Sequence, residues 1–247
     1  MADRTGAQKL LYPESAAGGF SHVDSTVAFY SRVNALLSPD SVVVDLGAGR
    51  GAFLEDPVSY RRDLRRLRGK VARVIGLDVD EAVLDNPALD DAHPIKVGGS
   101  FPLADKSVDL MVSDFTFEHI SDPAQVAREI SRVLRPGAWL CARTPNRFGY
   151  IGIPTQVVPN GLHGRVLARV QPDRQAKDTF PTCYRLNTMA DLKRHFPEDE
   201  FEHCSYLADS EPAYFGGSTA ACRVVRAVSQ IVPGRYRSVL FVFLRRK

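Results

Sequence analysis

Apolar positions along this chain follow two alternating rhythms. Short β-branched or aliphatic runs occur at Val42-Val43-Val44, 71–77, Ile95-Lys96-Val97, 108–113 and 138–143, and read as buried strands. Between them, apolar residues recur at helical spacing. Val27, Tyr30, Val33, Leu36 and Leu37 form one stripe behind a cap at Asp24-Ser25, and Ser38-Pro39-Asp40 stops it. Tyr60, Leu64 and Leu67 give segment 58–68 an apolar side that Gly69 closes. Asp80 caps a short helix ended by Pro87. Asp122-Pro123 opens a helix with Val126, Ile130, Val133 and Leu134 on one face, and Arg135-Pro136-Gly137 stops it. This regular alternation of strand and helix predicts an α/β fold with a parallel sheet.

The first strand breaks into Asp45-Leu46-Gly47-Ala48-Gly49-Arg50-Gly51, after which Ala52-Phe53 can start a helix. A strand feeding a helix through a glycine loop is the ligand end of a doubly wound sheet. Gly47 and Gly49 allow a ligand to lie against the backbone, and the following helix aims free N–H groups at it. Gly47-x-Gly49-x-x-Ala52 also satisfies the relaxed dinucleotide fingerprint, so a nicotinamide or flavin enzyme stays open, as does a turn with no ligand. Asp45 lies two residues before the first glycine. A carboxylate there suits the ammonium group of an amino acid better than a pyrophosphate. Asp78, at the end of the second strand, is placed to accept two hydrogen bonds from ribose hydroxyls. It lies about thirty residues past the glycines, beyond the usual twenty or so, and the intervening basic helix accounts for the excess.

Composition adds limits. With 247 residues, 44% hydrophobic and 25% charged, the chain can bury one large α/β core. The net charge of +3 is too small to argue for a nucleic-acid partner. Arg61, Arg62, Arg65, Arg66 and Arg68 read as the solvated face of a surface helix, with a nucleic-acid patch as the alternative. Cys141, Cys183, Cys204 and Cys222 are scattered, with no CxxC pair, which points to free thiols and a cytoplasmic location. No secretory signal and no bilayer-spanning apolar run is visible. Residues before about Phe20 read as a loose lead-in, and residues 1–40 as an N-terminal helical cap. Its helix either packs on the sheet or closes over a ligand mouth with Phe29, Tyr30 and Arg32.

Asp45 to Gly51, Asp78, Ser107-Val108-Asp109-Leu110, Phe117-Glu118-His119-Ile120 and Leu134-Arg135-Pro136-Gly137 follow one another in a characteristic order. Over residues 41–146 the chain resembles class I S-adenosylmethionine-dependent methyltransferases of the small-molecule type. The resemblance implies a Rossmann-like, doubly wound, seven-stranded and mostly parallel sheet with an antiparallel last strand. It implies S-adenosyl-L-methionine as cofactor, with the glycine loop (Gly47, Gly49, Gly51) around the methionine half, Asp78 on the ribose and Val79 against the adenine. Asp114 and Phe115 would line the cofactor near its methyl group. Relatives carry an aspartate after strand three, near the adenine amino group. Here Gly98-Gly99-Ser100-Phe101 stands in that place, which leaves the adenine to Ser100, Phe101 or the backbone. Some members hold a divalent ion through Glu-x-x-Glu-His. This chain keeps Glu118-His119 but has Phe115 for the first glutamate, so no metal site is expected.

The later elements expected of the family are a helix from Asn187-Thr188 to Phe196, a strand near 201–207 and a final strand at 238–244, with an extra helix at about 218–231. Segment 147–184 is then a lid insertion in a single domain spanning 1–247. Tyr150 and Tyr184 are its substrate-binding candidates, beside Phe148 and Asp173; each can equally well pack. His119 and His163 are the candidate general bases, with local packing the alternative for His119. The lid's apolar stretches, broken by glycine and proline, suit either a greasy substrate, peripheral contact with a membrane surface, or the core. The expected activity is methyl transfer to a small-molecule or lipid-like acceptor, at oxygen, with no nucleic-acid partner. The alternatives are a nucleotide-dependent (NAD-type) oxidoreductase and a non-catalytic cofactor-binding interaction module. Neither the acceptor nor the oligomeric state is written in the sequence.

Overall fold

Alternation within the strands decides the layering. In a computed structural model, which describes residues 10–149, 181–211, 223–224, 227 and 233–247, Val43, Leu110 and Cys141 enter one core and Val44, Met111 and Leu140 the other. A sheet with apolar residues on both faces must be covered on both. The strands are β1 (Val42–Leu46), β2 (Arg73–Asp78), β3 (Asp91–Pro94), β4 (Val108–Asp114), β5 (Leu134–Pro145), β6 (Phe201–His203), β7 (Tyr206–Ala208) and β8 (Val239–Arg246). They run in the order β3-β2-β1-β4-β5-β8-β6, with β7 also paired to β8. Strands β1 to β5 pair in parallel, and β8 is antiparallel to β5, β6 and β7.

Helix α1 (Ser25–Ala35) covers one face through Phe29, Tyr30 and Val33. Asp24 caps it, accepting from the Thr26 and Val27 amides at 2.8 and 3.0 Å. Helix α2 (Ser59–Arg65) packs beside it, with Leu64 against the same core. Helices α3 (Pro123–Val133) and α4 (Met189–His195) cover the other face through Ile130, Val133 and Leu192. Asp122 and Thr188 cap them. The doubly wound α/β reading and the antiparallel last strand both hold.

Seven strands were expected, and eight are present among the described residues because the sixth is interrupted. The register runs on unchanged, with His203 opposite Leu244 and Tyr206 opposite Phe241. At the break the Phe243 amide donates to the Ser205 hydroxyl (3.1 Å), so a side chain takes the place of a ladder carbonyl.

Three expectations change. The third strand is Asp91–Pro94, not Ile95-Lys96-Val97. The ladder opens with the Asp90 amide on the Val74 carbonyl and closes with the Ile95 amide on the Asp78 carbonyl. An edge strand is half solvated and tolerates polar residues, so the apolar run beside it misled. Val97 is 71% exposed. The segment after the glycine loop is a single 3₁₀ turn, Ala52–Glu55, in place of an α-helix. The basic helix is shorter than 58–68 and its arginines are not simply solvated. Arg61 pairs with Asp24 and Asp56, and Arg68 with Asp90. No helix among the described residues is long and apolar enough to cross a membrane.

Candidate functional site

A cavity of about 1130 Å³ opens at the carboxyl ends of β1, β2 and β4, where ligands of open α/β sheets bind. Asp45, Gly47 and Gly49 line it from β1, Asp78 and Val79 from β2, and Asp114 and Phe115 from β4, with Phe101 and His119 also in the wall. Nine of the residues singled out from the sequence thus share one space.

Gly47 has φ +82° and donates its amide to the Leu77 carbonyl at 2.7 Å. A Cβ there would stand 2.0 Å from Thr116 Oγ1, so the β1 loop and the β4 end approach as closely as a glycine permits. At Gly49 (φ +51°) a Cβ would meet nothing within 4 Å, which leaves that backbone open to the cavity. Gly51 does not line the cavity; a Cβ there would lie 2.5 Å from Asn86 Oδ1. Asn86 is buried and donates to the Ala48 and Gly49 carbonyls at 3.1 and 3.0 Å, bracing the loop. Inside Asp85-Asn86-Pro87 it reads only as a helix stop, so the sequence hid this role.

Asp78 accepts the Gly49 amide on Oδ2 (2.8 Å) and the Asp80 amide on Oδ1 (2.9 Å). A carboxylate offers about four lone-pair sites, so capacity remains for two ribose hydroxyls. Val79, 48% exposed, presents an apolar surface beside it.

Two acids, Asp45 and Asp114, and two arginines, Arg65 and Arg143, gather where β1, β4 and β5 end. Arg143, 3% exposed, grips Asp114 in a bidentate pair at 2.7 and 2.8 Å. Its remaining Nη1 donates to Ser25 and Thr26 hydroxyls. The Tyr30 hydroxyl donates to Asp114 Oδ2 at 3.3 Å, and Arg65 approaches the same oxygen at 3.3 Å. Burial pushes Asp114 up, but the two guanidiniums outweigh it and hold the carboxyl below its usual range. Among the described residues Asp45 has no such pair. Burial, reinforced by the Asp114 and Asp78 charges, pushes it up to about 7 despite Arg65.

Ligand and proton therefore compete for Asp45. Affinity for S-adenosylmethionine is expected to rise by up to about tenfold per pH unit below pH 7 and to level off above it. Asp45→Asn should abolish that slope. The same change should stabilise the ligand-free protein above pH 7. A carboxyl whose folded pKa exceeds its unfolded value contributes fully below the unfolded value and loses that contribution as pH rises through the folded one. Calorimetry and thermal melts across pH 5.5–8 check both signs.

Phe115 has φ +57°, a costly backbone for a phenylalanine. Its amide donates to the Arg143 carbonyl (2.7 Å), and the Arg143 guanidinium lies 4.6 Å from its ring centre. The ring is 39% exposed and lines the cavity. His119 Nδ1 lies 2.8 Å from the Pro181 carbonyl, which can only accept, so Nδ1 carries the proton. In the neutral ring the lone pair then belongs to Nε2. Glu118 is buried and accepts from Thr144, tying β4 to β5.

Besides Gly51, two candidates lie elsewhere. Ser100 is exposed and does not line the cavity, because the Phe101 amide is pinned by Glu129 (2.6 Å) and it is the Phe101 ring that enters the wall. Tyr184 is 5% exposed and also outside the lining; its backbone amide donates to the Glu118 carbonyl. His163, Tyr150 and the body of segment 147–184 fall outside the described residues. Of Phe29, Tyr30 and Arg32, Phe29 is core, Arg32 pairs with the Tyr206 hydroxyl, and Tyr30 reaches the site. Among the described residues, no three His, Cys, Asp or Glu side chains are placed to hold a metal ion.

A doubly wound sheet with a glycine loop, flanked by strand-end carboxylates and closed by an antiparallel strand, defines a nucleoside-cofactor domain. A family model described as a methyltransferase domain matches residues 44–142. A probable S-adenosylmethionine-dependent methyltransferase of Mycolicibacterium smegmatis is 37% identical over 131 residues, 51% of this chain and 46% of that protein. Malonyl-[acyl-carrier protein] O-methyltransferase 1 of Coxiella burnetii is 35% identical over 102 residues, 41% of this chain and 33% of its own. The chain thus spans less than half the length of these curated relatives. The crystal structure of geranyl diphosphate C-methyltransferase from Streptomyces coelicolor, with S-adenosyl-L-homocysteine bound, superimposes with TM-score 0.51. It covers 90% of this chain and 78% of that one at 15% identity, a likeness of fold. Residues 44–142 thus match a methyltransferase domain, and the similarities support a class I S-adenosylmethionine-dependent methyltransferase.

Proposed function

We propose that the protein transfers the methyl group of S-adenosylmethionine to a hydroxyl oxygen of a small-molecule or lipid-like acceptor. The observation that carries this is the shared cavity: Asp45 and Asp78 stand on either side of a backbone left open at Gly49, with Phe115 and His119 in the same wall. The residues fit the cofactor. Asp45 would take its ammonium group, Asp78 its ribose, Val79 and Phe101 its adenine, and Asp114 with Phe115 would flank its reacting end. When bound, the cofactor supplies a methyl group already activated by a sulfonium leaving group.

Alignment is then the main task of this chain, worth about 7–11 kcal/mol when reacting groups are held in line. The strained Phe115 ring, fixed from behind by Arg143, is a rigid wall suited to that task. An oxygen acceptor must also lose a proton. His119, with Nδ1–H turned to Pro181, presents Nε2 as the base. The name of the Coxiella burnetii relative, an O-methyltransferase, is in keeping with oxygen. No feature of the cavity favours the dehydrogenase alternative, which Asp45 and the antiparallel β8 argue against.

The test is incubation with cell extract and methyl-labelled cofactor, followed by mass spectrometry of the products. Label on a hydroxyl oxygen, lost in His119→Ala, is expected. Label on nitrogen or carbon overturns the acceptor atom, and tight cofactor binding with no labelled product favours a non-catalytic module. Asp78→Ala should weaken S-adenosylmethionine by about 1.5–3 kcal/mol, the scale of hydrogen bonds to a charged group. It should also lower the melting temperature slightly, since the Gly49 and Asp80 amides lose their acceptor. Calorimetry showing unchanged affinity would sink the ribose assignment.

A further inference from the structure

The two arginines at the β1–β4 end of the cavity are not equivalent. All three nitrogens of Arg143 are engaged by Asp114, Ser25 and Thr26. Arg65 is not so engaged. Among the described residues its polar contacts are Nη2 to Asp114 at 3.3 Å and an interaction with Tyr30, and its Nε is buried with no hydrogen-bond partner. Its guanidinium carbon lies 4.9 Å from the Phe53 ring centre and 5.6 Å from that of Tyr30. Such aromatic contacts orient a guanidinium while leaving its N–H edge available.

The position is a consequence of helix geometry. Arg61 and Arg65 are four residues apart and share one face of α2. Arg61 pairs with Asp24 at the start of α1 (2.9 Å), and Arg65, one turn further on, lines the cavity. There it joins Asp45 in the cavity wall. Arg143 already offsets Asp114, so Asp45 and Arg65 remain as one anionic and one cationic group facing a common space. That is the complement of an α-amino acid zwitterion.

We infer that Arg65 receives the α-carboxylate of the methionine half of the cofactor, opposite Asp45, which receives the ammonium group. The inference rests on the cofactor reading above. It assigns Arg65 a binding role and makes the site selective for a ligand with an intact carboxylate. A planar guanidinium can grip a carboxylate through two N–H groups, whereas an ammonium cannot, so Arg and Lys are not equivalent here.

The test compares S-adenosylmethionine with decarboxylated S-adenosylmethionine, which keeps the sulfonium, nucleoside and ammonium groups. Calorimetry on the wild type should show clear preference for the intact ligand. Arg65→Met should weaken the intact ligand by about ten- to hundredfold and the decarboxylated one by less than about threefold. Arg65→Lys, which keeps the charge, should fall between wild type and Arg65→Met for the intact ligand; thermal melts of both variants report on folding. Equal weakening of both ligands would make Arg65 a mere wall of the pocket and overturn the inference, as would no weakening of either. A wild type that binds both ligands equally well sinks the Arg65 role and leaves the methyltransferase reading standing. A wild type that binds neither removes the cofactor reading itself.

Discussion

Gly47→Ala is expected to weaken S-adenosylmethionine binding by at least about 100-fold and to destabilise the fold by about 2–5 kcal/mol. The Cβ it adds would lie 2.0 Å from Oγ1, 2.6 Å from Cγ2 and 2.8 Å from Cβ of Thr116. No rotamer of Thr116 relieves a contact with its own Cβ. Its backbone is held as well, since the preceding Phe115 amide is bonded to the Arg143 carbonyl at 2.7 Å. The β1 loop must therefore move, and the amide that Gly47 gives to Leu77 moves with it. Alanine at φ +82° adds a conformational cost that no rearrangement of neighbours removes. The two contributions separate in the double variant Gly47→Ala/Thr116→Gly, which should regain the steric part of the stability and not the rest. Urea melts and calorimetry check this, and a single variant that binds like the wild type would show that the loop is no cradle.

Arg143→Met should cost about 3–5 kcal/mol, the penalty for leaving one member of a buried ion pair behind. Asp114, 8% exposed, would keep only the longer contacts with Arg65 and the Tyr30 hydroxyl, both at 3.3 Å. The pH dependence has a definite sign. Asp114 is held below its usual range in the wild type, so its contribution is present above the unfolded value and is lost as pH falls through the folded one. In the variant the carboxyl, without its bidentate partner, takes up its proton more readily. The stability gap should therefore narrow as pH falls from 7.5 to 4.5, and Arg143→Met/Asp114→Asn should recover part of it at neutral pH. A gap that stays constant would mean that Arg143 acts by packing alone. The Phe115 ring should also lose the cation that lies over it, while its amide keeps the main-chain carbonyl of residue 143.

Much of the site was legible because strand ends and glycine loops leave local marks. Asp45, Gly47, Gly49, Asp78 and Val79 are all placed by where β1 and β2 stop, and β-branched runs followed by glycine or acid announce those stops. Phe115 was legible only through the family resemblance, and its left-handed backbone not at all. Ser100 failed because solvent exposure at an edge follows from the path of the 98–101 turn. That path is set by the Phe101 amide on Glu129, a bond across 28 residues. The third strand failed for a similar reason. An edge strand earns its place by pairing, not by hydrophobicity, and pairing partners leave no trace in a local window.

Sequence by itself determined the layers of this protein and the end of the sheet where a ligand binds, because both follow from periodicity and from punctuation along the chain. It also determined that a carboxylate precedes the glycines, which set the expectation of an amino-acid cofactor. Only the tertiary structure decided how the charges divide. Arg65 belonged to a run of five arginines with nothing to distinguish it, and Arg143 was one residue of a buried strand. Asp24 holds Arg61 while Arg65, one turn further on, lines the cavity, and Asp114, 29 residues before Arg143, takes two of that side chain's nitrogens while Ser25 and Thr26 take the third. Long-range electrostatics of this kind depends on distances between side chains that meet only when the sheet is assembled. A desolvated Asp45 beside a half-engaged Arg65 is therefore a property of the fold.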